Sequence, residues 1–274
     1  MLSPVRTLRP QELCALLDDR LHGVDGAVVA FDGDGTLWSG DVGDDFAHGL
    51  LEASSSDPEW ALSPATREAL RARLHAAGIH VEGGGAECEA VDGARVLRAA
   101  LDGYRAGTFP ERDMYEATAW LCAGWSTDRA DAFARRSLVA HGIAQRAHPE
   151  VMAVVEWARS RHLPLYLVSA SPGFVVRAAA RLLGIGDFTI LAMDPPVVGG
   201  HIGVGVVPPV TYGDGKVDAL RGSVGAGVIL AALGDNGFDV PMLQAARVGV
   251  AVRPKERLRS RAAEVPGLVV LSEG

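Results

Sequence analysis

Ala27-Val28-Val29-Ala30-Phe31-Asp32-Gly33-Asp34-Gly35-Thr36-Leu37 is the stretch on which the reading of this chain turns. An apolar run of this kind, bounded by glycine, reads as a buried β-strand. Two carboxylates two residues apart leave its C-terminal end. In extended backbone, residues i and i+2 face one side, so Asp32 and Asp34 converge on one point. That point lies at the edge where parallel sheets place their ligands. Carboxylates held so close repel unless a cation or a proton stands between them. On its own, D-x-D at a strand end also describes an ordinary turn.

Further motifs follow in order. Leu165-Tyr166-Leu167-Val168-Ser169 is an apolar run ending in a hydroxyl. Gly215-Lys216 brings a lysine out of a loop, and Val228 to Leu233 is a third apolar run, closed by Gly234-Asp235-Asn236-Gly237-Phe238-Asp239. Gly213 to Lys216 is not a P-loop, because Val210 stands at the first glycine's place and Val217 where Ser or Thr belongs.

From Val28 to Val252 the chain resembles the haloacid dehalogenase-like superfamily of phosphohydrolases. That superfamily carries D-x-D-x-T, a Ser or Thr after a strand, a Lys, and an acidic G-D-x-x-x-D in this order. Ser169-Ala170-Ser171-Pro172-Gly173-Phe174 fits its phosphoserine-phosphatase-like branch. One departure stands out: Phe238 occupies the position before the second acid, where that branch usually has Asn, and an asparagine appears instead at Asn236.

The resemblance implies a Mg²⁺-dependent phosphomonoesterase acting on a small phosphorylated metabolite. Asp32 is the candidate nucleophile, giving an aspartyl-phosphate. Mg²⁺ would be held by Asp32, Asp235 and the backbone carbonyl of Asp34, leaving the Asp34 carboxyl to protonate the leaving alcohol and then to deprotonate water. Ser169 and Ala170 would meet phosphate oxygens, helped by N–H groups where a helix begins near Pro172. Lys216 would screen Asp32 from the phosphate, and Asn236 and Asp239 would support the site, Asp239 by orienting Lys216 or by reaching the metal. Asp41, nine residues after Asp32, stands where the branch often has an acid that meets a substrate amino group. It suggests a phosphorylated amino acid or amino alcohol, though Asp41, Asp44 and Asp45 also read as a solvated cap. The alternatives are a phosphotransferase or mutase with the same nucleophile, or a non-enzymatic phospho-accepting or binding homologue.

Strand and helix patterns alternate before residue 40 and after residue 148, which predicts an α/β fold with a Rossmann-like parallel sheet. Between them the signals are helical alone. Residues 1–40 and 148–274 are therefore expected to form the catalytic core, and 41–147 a helical cap inserted after the first motif strand. Ser63-Pro64 is a helix start and Gly78 its stop. Val91 to Tyr104, Pro110 to Gly124 and a segment capped by Ser126 or Thr127 read as further cap helices. Gly83-Gly84-Gly85 reads as a connector. In the core, helices are expected after His148-Pro149 and after Pro172-Gly173, and strands over Phe188 to Ala192, Val197 to Val207 with a turn at Gly199-Gly200, Ala246 to Val252 and Leu268 to Leu271. Trp38, Trp60, Trp120 and Trp125 offer rings for a quaternary ammonium group, but core packing is the plainer reading.

The 274 residues are 48% apolar and carry a formal net charge of −8, which argues against nucleic acid or an anionic membrane as a partner. No run approaches the ~20 apolar residues of a membrane span. Met1 to Asp25 lacks a signal peptide's pattern and contains an amphipathic helix over Gln11 to His22. Cys14, Cys88 and Cys122 form neither a disulfide framework nor a zinc knuckle, so a reduced, cytoplasmic setting is expected.

Overall fold

In the computed structural model, residues 6–82 and 89–273 are described; the Gly83-Gly84-Gly85 connector and Cys88 lie outside them. The chain opens with a short strand, β1 (Arg6–Leu8), and helix α1 (Pro10–Leu21). Leu13 and Leu17 of α1 are buried, one turn apart on its inner face. Strand β2 (Ala27–Phe31) is buried at every position, as a strand covered on both faces must be.

After β2 come α2 (Val42–Ser56), α3 (Pro64–Ala76), α4 (Glu89–Arg105), α5 (Glu111–Trp120) and α6 (Thr127–Ala140). Their ends follow the local chemistry. The Asp41, Ser63 and Ser126 side chains accept the amides of Asp44, Thr66 and Arg129, capping α2, α3 and α6. Gly78 and Gly142 take left-handed backbone just past α3 and α6. Helix α5 ends at Trp120, short of Gly124, because Trp120 to Trp125 wind into successive turns.

The core resumes with α7 (Pro149–Ser160), β3 (Leu165–Pro172), α8 (Gly173–Leu182) and β4 (Thr189–Met193). Then come the two-residue strands β5 (Val197–Val198) and β6 (His201–Ile202), followed by α9 (Asp214–Val224), β7 (Val228–Gly234), α10 (Val240–Ala245), β8 (Val248–Val252), α11 (Glu256–Arg259) and β9 (Val269–Leu271). The expected strands over Val197 to Val207 thus contract to a small antiparallel hairpin outside the main sheet. Its backbone bonds instead to the turn between α5 and α6, with Gly124 donating to Ile202 and Thr127 to Gly200.

The sheet is seven-stranded and parallel, in the order β1-β9-β8-β7-β2-β3-β4. Strand β2 is where the winding reverses, with β3 and β4 laid on one side and β7, β8 and β9 on the other. Such a reversal opens a crevice at the C-terminal ends of the central strands. One apolar cluster runs from the sheet into the inserted helices and includes Phe31, Leu167, Phe46, Leu70, Leu97 and Phe133. The Phe46 ring of α2 meets Phe174 of α8 at 5.2 Å and Phe133 of α6 at 5.7 Å. Among the described residues no helix is long and apolar enough to cross a membrane.

Candidate active site

Strand β2 delivers Asp32 into the crevice, where its amide donates to the Leu233 carbonyl of β7 at 2.9 Å. The carboxylate is buried, 3% exposed. Its Oδ2 accepts the Thr36 hydroxyl at 3.0 Å, and its Oδ1 accepts Lys216 Nζ at 2.5 Å. Lys216 reaches in from the first turn of α9 and is wholly buried. Its ammonium also donates to Asp239 Oδ1 at 2.6 Å and lies 4.9 Å from the centre of the Phe238 ring. Asp239 Oδ2 accepts the amides of Asp235 at 3.1 Å and Asn236 at 2.9 Å. Both oxygens of Asp239 are therefore engaged, and its visible work is to orient Lys216 and the loop after β7. Asn236 Oδ1 accepts the Gly237 amide at 2.7 Å and shapes the same loop.

Asp32, Asp235 and Asp239 bring carboxylate oxygens within 4.8 Å of one another. Burial, then Asp239, pushes the Asp32 carboxyl well above the ordinary carboxylate range. The same two causes raise Asp235 to about 6. The Lys216 pKa is raised as well: burial lowers it, but Asp239 and Asp32 outweigh that cost and hold the ammonium charged. Two of the three buried carboxylates, Asp32 and Asp239, thus share the buried Lys216 ammonium. Lys255, 56% exposed, adds a second cation at 2.8 Å from Asp235 Oδ2.

The donors suit a hard divalent ion. Asp235 Oδ1 is buried with no hydrogen-bond partner, a state that costs free energy unless a cation takes the lone pairs. Gly35 has φ +85°, and a Cβ there would lie 2.0 Å from Asp235 Oδ2, so the turn after β2 is built to let that carboxylate approach the backbone.

Asp34 is not among the clustered acids. Its Oδ1 accepts Trp38 Nε1 and the Val42 amide, each at 2.8 Å, and its Oδ2 accepts the Ser171 hydroxyl at 2.7 Å. Burial, then the nearby Asp41, lifts this carboxyl to about 7, the range in which a group can both give and take a proton. Asp41 caps α2 through Asp44 N at 2.9 Å and faces the Tyr115 hydroxyl at 3.5 Å. Burial, then Asp44, raises it to about 6.

Asp32, Asp34, Asp41, Ala170 and Asn236 line a cavity of about 630 Å³. Lys216 and Ser169 stand behind that wall. The Ser169 hydroxyl accepts the Ser171 amide at 3.0 Å, and Thr211 Oγ1 donates to the Ser169 carbonyl at 2.5 Å. Ser169 therefore shapes the turn that carries Ala170 and Ser171, whereas Ala170 lies on the cavity wall.

Sequence reasoning passed over several side chains. Ser171 and Trp38 hold the Asp34 carboxyl, and Lys255 pairs with Asp235. His148 is buried and bonds through Nδ1 to the Thr36 carbonyl at 2.9 Å, buttressing the D-x-D turn. The tryptophans are not a cage. Trp38, Trp120 and Trp125 are buried, and the Arg129 guanidinium lies over the adjoining rings of Trp60 and Trp125 at 4.7 and 4.4 Å. Tyrosines supply rings instead: Tyr115 lies 6.3 Å from Tyr104 and 6.3 Å from Phe238, and all three line the cavity.

The family described as haloacid dehalogenase-like hydrolase matches residues 29–244. The chain belongs to the haloacid dehalogenase-like hydrolases. Among solved structures, this hydrolase is similar to a protein of unknown function from Bordetella pertussis Tohama I, at TM-score 0.64 and 20% identity over 90% of this chain and 99% of that one. A conserved protein of unknown function from Anaerococcus prevotii DSM 20548 matches at TM-score 0.62 and 13% identity, over 99% and 94%. A phospho-aspartyl intermediate analogue of phosphoserine phosphatase matches at TM-score 0.50 and 14% identity, over 90% and 93%. At these identities the likeness is one of fold. No curated protein matches the sequence.

Proposed function

We propose that this hydrolase is a Mg²⁺-dependent phosphomonoesterase that works through an aspartyl-phosphate on Asp32. One observation carries the reading: two neighbouring aspartates on one cavity are given different partners. Asp32 lies in the acid cluster and accepts the Lys216 ammonium, while Asp34 accepts the neutral donors Ser171, Trp38 and Val42 and is raised to about 7. Carboxylates whose environments differ in this way divide nucleophilic and proton-transfer work.

Asp32, Asp235 and the Asp34 backbone would hold the cation, which when bound supplies positive charge to the phosphate and screens it from the nucleophile. Lys216 supplies a second, fixed positive charge and keeps the Asp32 carboxylate aimed. An Asp32 oxygen attacks phosphorus, the P–O bond to the leaving alcohol breaks, and the Asp34 proton passes to the departing oxygen. Water then attacks the phosphoryl group on Asp32, Asp34 takes the proton, and inorganic phosphate and free Asp32 are released. Ala170 and the backbone of its turn would face the phosphate oxygens, with Ser169 fixing that turn. Residues 41–147 act in this reading as a cap that excludes water and contacts the leaving group.

Turnover of p-nitrophenyl phosphate with and without Mg²⁺, together with Asp32→Asn, tests the reading. Activity should require both the cation and the carboxylate. Undiminished turnover in the exhaustively chelated protein would end it.

A further inference from the structure

The leaving-group side of the cavity is charged and aromatic, and we propose that it selects a phosphomonoester whose alcohol carries an ammonium cation and no carboxylate. The inference rests on the phosphomonoesterase reading above and specifies its substrate class.

Charge gives the first argument. Asp41 and Asp44 line the cavity, and among the described residues neither makes a salt bridge to a lysine or arginine. Their neighbour Asp45 does, to Arg146 at 2.6 Å. The nearby His48 spends its Nδ1 on the Asp44 main-chain carbonyl at 2.8 Å. Two carboxylates beside a phosphate dianion oppose binding unless the ligand brings positive charge to them. A cationic alcohol does so, and an uncharged sugar or alcohol does not.

The second argument excludes the carboxylate. Two basic side chains line the cavity, and neither is paired with Asp41 or Asp44. Lys255 lies against Asp235, at the cation and phosphate end, and Arg257 pairs with Glu111 at 2.7 Å. A phosphorylated amino acid would set its carboxylate beside Asp41 and Asp44, which repel it.

The rings give the third. Tyr104, Tyr115 and Phe238 form a continuous aromatic wall, which attracts an ammonium group electrostatically and covers its methylene or methyl substituents. The Tyr115 hydroxyl faces Asp41 at 3.5 Å, so one side chain joins the ring wall to the acid.

The test compares kcat/KM for phosphocholine and phosphoethanolamine with that for 3,3-dimethylbutyl phosphate, the uncharged isostere of the former, and for phosphoserine. The cationic alcohols should be preferred by at least about tenfold over both. Asp44→Asn and Tyr115→Leu should each narrow the ratio of phosphocholine to its isostere. A ratio near one in the unmodified protein, or phosphoserine as the best substrate, would overturn the inference. Failure to hydrolyse even p-nitrophenyl phosphate with Mg²⁺ would instead defeat the phosphomonoesterase reading. Calorimetric affinities of choline and 3,3-dimethylbutanol then decide the pocket's preference by themselves: choline tighter sustains it, and equal affinity overturns it.

Discussion

Lys216 and Asp32 stand 184 residues apart in the chain and 2.5 Å apart in the fold. Asp32 shares the Lys216 ammonium with Asp239, and among the described residues Lys216 is the one buried lysine or arginine. Lys216→Met removes the charge and keeps most of the volume. Losing one partner of a buried pair costs about 3–5 kcal/mol, because the remaining charge is left uncompensated. Denaturant titration should show a loss of that order at pH 8, with Asp239→Asn,Lys216→Met recovering part of it.

Asp32→Asn keeps the shape and removes the nucleophile. Hydrolysis should fall by at least about 10⁴-fold, as it does when a covalent nucleophile is deleted, while the melting temperature holds or rises as one of three crowded carboxylates is neutralised. Single-turnover assays and circular dichroism on the same sample check both halves.

Asp34→Asn should separate the two chemical steps. An aryl phosphate needs little help in losing its leaving group, so the first step survives, whereas water still lacks a base in the second. The variant should give a burst of p-nitrophenol of about one equivalent per site and then stall, with acid-stable mass analysis finding phosphate on Asp32. In the unmodified enzyme, kcat/KM for an alkyl phosphate should decline above about pH 7, where the carboxyl lifted by burial and by Asp41 loses the proton that the first step needs.

Stability without metal should fall with rising pH. The Asp34 and Asp235 carboxyls have folded pKa values raised to about 7 and about 6 from an ordinary 3.8. A group raised in the folded state binds its proton more tightly there. Its contribution is fully present below the unfolded value and is lost as pH climbs through the folded value. Chelated protein should therefore melt at a lower temperature at pH 8 than at pH 5.5. Added Mg²⁺ should narrow the gap, since a cation among Asp32 and Asp235 favours their ionised forms. A gap untouched by Mg²⁺ would count against those ligands.

Gly35→Ala probes the cation cradle without removing any donor. The new methyl would occupy the space of Asp235 Oδ2 on a backbone of positive φ, so the carboxylate must shift. Displaced support around a metal ligand costs about 10–100-fold in affinity. The Mg²⁺ concentration for half-maximal activity should rise by that factor, with activity partly restored at high Mg²⁺.

What could be read in the sequence is what local pattern encodes. The all-apolar β2 run announced a strand covered on both faces. The two-residue spacing placed Asp32 and Asp34 at its end, and Ser63-Pro64 and Ser126 marked helix starts through capping that works within a turn. The different partners of the two aspartates were beyond reach, because one of them is Ser171, 137 residues away from Asp34. Lys255 and Tyr115 carry no local signature either; one sits in a charged surface segment and the other on a cap helix, and only tertiary packing brings them to the cavity. The Val197 to Val207 pattern misled in extent. Its valines look like a long hairpin, yet Val198, Val204 and Val207 are exposed, and among the described residues the ladder is confined to Val197–Val198 and His201–Ile202.

The apolar cluster shared by the sheet and the inserted helices bears on how molecules enter and leave. Lifting the helices away as a rigid lid would part Phe46 from Phe174 of α8, and each large aromatic bared to water costs about 1.5–3 kcal/mol. Traffic through the cavity therefore has to run on small, local displacements at its mouth, such as the start of α2 with Asp41 and the exposed segment bearing Lys255 and Arg257, while the bulk of the helical layer stays docked. Substitutions at that mouth are therefore expected to change throughput more than substitutions between the sheet and the helical layer.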